Sequence, residues 1–318
     1  MPRPPRAPDT PAQRATPFVL AVSSNKGGVG KTTVTANLAI YLRALREELP
    51  ILLVGLDDQR TLDRMFSLHP GRPAEKGLEH AWAERSLTGV IQLGEYGIHY
   101  VPSPPDVAAL KSRAGDPLLL RGMLERSEWR GIALLDTKSD LEALTRNAYH
   151  AADRILVPVA DWASLEEAGK LFERLEEDGL GAERARILLT LVDRRARGSD
   201  GEAPLYETLA AEIERRGWPR YESAISRSPR VEALNSGSAT PLSILHHARG
   251  TIVHSEYRAL ADEVLVEMGL ADPAPRARRS EPRPARPRSQ PKPSPDPLRS
   301  ALAPFAWASD LLDALRGR

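Results

Sequence analysis

The sequence predicts a doubly wound α/β domain, a mostly parallel sheet with helices on both faces. Three observations carry that expectation. Five short apolar runs lack the polar alternation of a half-solvated strand, as strands covered on both faces do. Stretches with helical apolar spacing lie between the runs. A glycine-rich turn joins the first run to the first helical stretch. Sheets of this kind bind ligands outside the carboxyl ends of their strands.

The elements follow in order. Phe18 to Val22 is the first run, and the turn after it ends at Gly30. Val34, Leu38, Tyr41, Leu42 and Leu45 then fall on one face of the first helix. Ile51 to Val54 is the second buried strand; Ile132 to Leu135, Ile155 to Val159 and Ile187 to Val192 repeat its character. Helices are expected around Leu165, Ala168, Leu171, Phe172 and Leu175, over Leu205 to Ile213, and around Val253, Tyr257, Leu260, Ala261, Val264 and Met268. The folded region is expected over 17–270. A disordered basic tail (1–16) precedes it, and a Pro/Arg-rich linker (271–297) and a short amphipathic helix (298–318) follow it.

Composition narrows the function. The 318 residues have room for one large α/β domain with tails, or for two small domains. The absence of cysteine removes thiolate zinc sites, iron–sulfur clusters, cysteine nucleophiles and disulfide frameworks. No apolar run approaches the roughly 20 residues of a membrane span. The opening MPRPPRAPDTPAQRATP has no hydrophobic stretch behind its charges, so no secretory signal is expected. The net charge of +1 is unevenly spread: 1–15 carries +2, 272–297 carries +4 and 298–318 carries +1, which leaves about −6 between them. A mildly acidic core needs a local basic patch, or its tails, to hold nucleic acid.

The turn itself carries chemistry. Lys26-Gly27-Gly28-Val29-Gly30-Lys31-Thr32-Thr33 follows a strand and opens a helix. Gly27, Gly28, Val29 and Gly30 let backbone N–H groups face phosphates at a helix N-terminus. Lys31 is placed to neutralise the β- and γ-phosphates, the Thr32 hydroxyl to ligate Mg²⁺, and Thr33 continues the nucleotide-binding loop.

This motif resembles the deviant Walker A loop of the ParA/MinD family of partitioning and positioning ATPases, a branch of the P-loop NTPases. The likeness extends over roughly 17–270. Ile51 to Gln59 stands where that family has a strand ending in D-x-D-P-Q, and Leu134-Leu135-Asp136-Thr137 where it has its Walker B aspartate. The resemblance implies ATP and Mg²⁺ as cofactors and an ATP-sandwiched homodimer. It implies that Lys26 reaches the other subunit's phosphates, that Asp57 positions the attacking water, and that Asp136 holds Mg²⁺. Asp58 stands beside Asp57, and either is also a simple turn residue. Asp136 has the alternative of capping a helix. Three departures bear on hydrolysis. Gly55 replaces the family's first aspartate, Asp58 replaces its proline, and Thr137-Lys138-Ser139-Asp140 replaces a proline-containing segment.

Partners follow from the same likeness. ParA-like members bind non-specific DNA late in the fold, where this chain has Arg194, Arg195, Arg197, Arg215, Arg216, Arg220, Arg227 and Arg230. Arg227 and Arg230 are the candidate DNA contacts, with a cytoplasmic, nucleoid-associated location. MinD-like members sit on membrane through a terminal amphipathic helix. Here Pro304 can open a helix with Phe305, Ala308, Leu312 and Leu315 on one face, but Asp310 and Asp313 offset Arg316 and Arg318. Fold-back, membrane contact and docking on a stimulating or cargo protein through 304–318 all fit that pattern. The linker reaches roughly 80 Å in polyproline II form, which favours docking. A metabolic ATP-dependent ligase of related fold is the enzyme-class rival, for which the sequence shows no second catalytic motif. His246 and His247 are adjacent, point apart on a helix and read as structural.

Overall fold

The computed structural model describes residues 16–57, 59–69, 74–103, 110, 113–140, 142–193, 203–236 and 242–272. The 1–15 tail, Asp58, the arginines at 194, 195 and 197, and the expected linker and helix from 273 to 318 lie outside them.

The chain runs β1 (Phe18–Val22), α1 (Lys31–Leu45), β2 (Ile51–Gly55), α2 (Thr61–Phe66), α3 (Leu78–Glu84), β3 (Gln92–Leu93) and β4 (His99–Val101). It continues through α4 (Leu119–Arg126), β5 (Ile132–Asp136), α5 (Ala143–Ala151), β6 (Arg154–Val159), α6 (Trp162–Glu177) and β7 (Ala185–Val192). The last elements are α7 (Leu205–Arg215), β8 (Arg220–Ser226), α8 (Pro229–Ser236), α9 (Ile244–His247) and α10 (Ile252–Glu267).

The strands form an eight-stranded sheet in the order β3-β4-β2-β5-β1-β6-β7-β8. Pairing is parallel except at the edge, where β3 runs antiparallel to β4. Alternate residues of each central strand enter opposite cores. Val19, Ala21, Leu52, Val54, Ala133, Leu135, Ile155 and Val157 pack with α3 to α7. Phe18, Leu20, Ile51, Leu53, Ile132, Leu134 and Leu156 pack with α1, α2, α9 and α10. Burial on both faces explains why these strands read as unbroken apolar runs.

The sequence reading needs enlarging at both edges. Its five runs are β1, β2, β5, β6 and β7. The short edge pair β3 and β4 and the outer strand β8 were not among them, because edge strands carry polar residues such as Gln92, His99, Glu222 and Ser223. The α1 face is also wider than expected. Ala36, Ala39 and Ile40 are buried beside Val34, Leu38 and Tyr41, because the helix lies between β1, β2 and β5 on one side and α9 and α10 on the other. Leu45 is only half-buried.

Strand order reverses at β1, which has β5 on one side and β6 on the other. The segment leaving β1 therefore emerges at the switch point, where an open α/β sheet has its natural crevice.

Candidate functional site

Parallel register brings the site together. Val22 at the end of β1 lies beside Asp136 at the end of β5, and Asp136 lies beside Gly55 at the end of β2. The turn at Ser23 is fastened to β5 by buried hydroxyls. Thr137 Oγ1 donates to the Val22 carbonyl at 3.1 Å and lies 2.9 Å from Ser23 Oγ, which meets Tyr149 Oη at 3.0 Å. Gly28 (φ 78°) and Gly30 (φ 91°) then take left-handed backbone that favours glycine. α1 starts without a side-chain cap or a first-turn acid, so its N-terminus is left positive and open to an anion.

Lys31 is the first residue of α1 and is 7% exposed. Its ammonium donates to the Lys26 carbonyl at 3.1 Å and meets Ser139 Oγ. Burial lowers its pKa, against the opposing pull of the Asp136, Asp57 and Asp140 carboxylates. Asp136 is almost fully buried. Burial pushes its carboxyl up to about 7, against hydrogen bonds from Thr32 and Thr35 and the charge of Lys31, while Asp57 adds to the rise. Thr35 Oγ1 reaches Asp136 at 3.2 Å. The Thr32 hydroxyl and the Asp136 carboxylate are thus joined hard-oxygen donors. A divalent cation there would offset the cost of ionising Asp136. Among the described residues no group of three His, Cys, Asp or Glu could hold a metal by itself. Mg²⁺ takes few protein ligands and completes its shell with phosphates and water.

Lys26 stands apart from this buried cluster. Its ammonium pairs with Asp161 at 2.8 Å, and the two side chains are 34% and 43% exposed. Asp161 caps α6 by accepting from the Ser164 N–H at 2.8 Å. Partial burial alone would raise its pKa, and the hydrogen bonds from Lys26 and Ser164 outweigh that and hold it below the ordinary value. Asp57 is half-buried two residues beyond β2, and its Oδ1 accepts from the Gln59 N–H at 3.1 Å. A side chain at position 55 would be crowded. A Cβ there would lie 2.9 Å from Ser103 Oγ and 3.5 Å from Leu62 Cδ1. Ser103 in turn donates its N–H and hydroxyl to buried Asp63, at 3.0 to 3.1 Å.

Beside the loop lies a mainly apolar cleft of about 310 Å³. The backbone of Gly28 to Gly30 and Thr33 form one wall, and Leu191, Ile225, Val253 and Tyr257 form the others. Leu191 holds a left-handed φ of 53° inside β7, and Thr190 Oγ1 donates to the Val29 carbonyl at 2.9 Å. Arg227 and Arg230 are exposed. Arg227 pairs with Glu232 at 2.8 Å, and Arg230 donates to the His247 carbonyl at 3.0 Å. Arg215, Arg216 and Arg220 are all engaged with glutamates: Glu212, Glu212 with Glu166, and Glu214 respectively.

The structure thus gathers Lys31, Thr32, Asp57 and Asp136 around one glycine loop, with Lys26 on its rim. Sequence reasoning missed Asp161, the partner of Lys26, although an aspartate three residues before a serine at a helix start is a capping signal. It also missed the cleft walls, which come from four separate elements and leave no local signal.

A glycine loop and buried lysine at the switch point of a doubly wound sheet define a P-loop nucleoside triphosphatase. Residues 18–177 match a family model described as an AAA domain. Over 253 residues the chain is 34% identical to the chromosome-partitioning ATPase Soj of Thermus thermophilus, a match covering 78% of this chain and 96% of Soj. The chain belongs to the ParA-like family of partitioning ATPases. Solved structures share its fold. The McdA–ATP complex of Cyanothece has a TM-score of 0.64 at 15% identity, over 81% of this chain and 98% of McdA. Cobyrinic acid a,c-diamide synthase of Mycobacterium smegmatis, with an ATP analogue and magnesium bound, has a TM-score of 0.63 at 20% identity, over 79% of this chain and 96% of the synthase.

Proposed function

We propose that this ATPase is a dimerisation switch that carries or positions a cargo on non-specific DNA. In this reading Lys31 and the glycine loop hold the phosphates of ATP, and Thr32 and Asp136 hold Mg²⁺. Asp57 positions the attacking water, since phosphoryl transfer depends mainly on placement and charge. Lys26 crosses to the nucleotide of a second subunit. The observation that carries the reading is the contrast between the two lysines of one loop. Lys31 is buried in the phosphate cradle, while Lys26 sits on its rim in a half-exposed ion pair that a partner's phosphates can replace. Arg227 and Arg230 are the proposed phosphate contacts for DNA, and the cytoplasm, against the nucleoid, is the proposed location.

The likeness to a synthase keeps the metabolic ligase as a fold-level alternative, and membrane association through 304–318 is the MinD-like one. Size-exclusion chromatography with ATP, with ADP and without nucleotide separates the switch from the ligase. The switch requires a dimer with ATP alone, and a longer-lived one in Asp57→Ala. A monomer in every condition, in that variant too, would overturn it. Liposome co-sedimentation dependent on 304–318 would favour membrane association.

A further inference from the structure

The segment leaving β5 places a hydroxyl on the phosphate-binding lysine. Ser139 is half-buried, and its Oγ meets the Lys31 ammonium. The same oxygen lies over the glycine loop, where a Cβ added at Gly27 would come within 3.9 Å of it. The Lys31 ammonium can only donate, so Ser139 Oγ is the acceptor in that contact. Its own hydroxyl hydrogen remains to be given, and among the described residues it goes to no other partner.

We infer that Ser139 is a nucleotide-contacting residue that donates its hydroxyl to the terminal phosphate of ATP and so sets the preference for triphosphate over diphosphate. The inference rests on reading the loop as an ATP site. An anionic oxygen drawn to Lys31 arrives next to an unspent hydroxyl donor on the neighbouring segment. Hydrogen bonds to charged acceptors are the stronger kind. The Lys31 ammonium that Ser139 meets also feels the charges of Asp136 and Asp57, the carboxylates assigned to metal and water at the reacting end of the nucleotide. The phosphate it meets is therefore the outermost one, which a diphosphate lacks. The contact has a route onward. Next in the chain, Asp140 Oδ1 accepts from the Glu142 N–H and from Thr145 Oγ1 at 3.0 Å, at the start of α5.

The test is binding of Mg²⁺ with a non-hydrolysable ATP analogue, and separately with ADP, to the full chain and to Ser139→Ala and Ser139→Thr, by calorimetry. Ser139→Ala should bind the analogue roughly 10-fold more weakly and ADP within about 2-fold of the parent, as loss of one charge-assisted hydrogen bond requires. Ser139→Thr, which keeps the hydroxyl, should retain the preference. An unchanged analogue-to-ADP ratio in Ser139→Ala overturns the inference. So does an equal loss of both ligands, which would mean that Ser139 only steadies Lys31. A parent protein that binds neither nucleotide would overturn the ATP-site reading itself, and this inference with it. Binding of both with no effect at Ser139 would remove this inference alone.

Discussion

Gly55 shows how one residue can record a through-space constraint. Its neighbour across the sheet is Asp136, so an aspartate there would put a second carboxylate beside one that burial already pushes up to about 7. Its Cβ would also strike Ser103 Oγ. Ser103 is buried and is one of the groups holding the Asp63 carboxylate, whose pKa burial raises despite those hydrogen bonds. Gly55→Asp is therefore expected to destabilise the nucleotide-free protein by about 1–3 kcal/mol, from a displaced hydrogen-bonded serine and an added buried charge. Gly55→Ala, which brings the clash without the charge, should cost less. Combined with Ser103→Ala, it should cost less than the two single changes together, because the clashing oxygen is gone. Urea denaturation of the four variants checks this; strict additivity would mean that the Ser103 contact does not decide the residue at 55.

At the scale of elements, the end of β8 and the helix after it connect cleft and surface. Glu232 on α8 lines the cleft and also holds Arg227. The pair is exposed, so it contributes little to stability and costs little to exchange for a DNA phosphate. Changing both Arg227 and Arg230 to Glu should weaken binding of arbitrary duplex DNA in the ATP state and flatten its salt dependence, with little sequence preference. Glu232→Ala should act in the opposite direction by releasing Arg227. Fluorescence anisotropy across a salt series reads both effects. Full binding by the double variant at moderate salt would exclude this patch.

For the whole molecule, the C-terminal segment is the proposed link to a partner. Among the described residues no helix is long and apolar enough to cross a membrane. Residues 273–318 lie outside the described structure, and their proposed role is to carry an apolar helix face at 304–318 to a protein partner. Removing 298–318 should then leave nucleotide binding and dimerisation near normal and abolish cargo localisation. Packing back on the ATPase fold instead would bury Phe305, Trp307, Leu312 and Leu315, worth about 1.5–3 kcal/mol each before entropy. A clear fall in melting temperature with localisation intact would point to that packing and against docking on a partner.

Local chemistry is what the sequence determined by itself. The phosphate loop is contiguous, so its glycines, Lys31 and Thr32 are legible wherever the chain folds, and the central strands announce themselves because burial on both faces removes polar residues. The long helices α1, α6, α7 and α10 were equally plain from spacing. Tertiary structure decided everything that depends on which strand lies beside which. Register set Asp136 against Val22 and Gly55, and strand order made a cleft from β7, β8, α8 and α10. The loop after β5 put Ser139 on Lys31, and the start of α6 put Asp161 on Lys26. Periodicity reports how deeply a residue is buried, not what it is buried against. Contacts between residues more than a hundred positions apart are fixed only when the sheet closes around them.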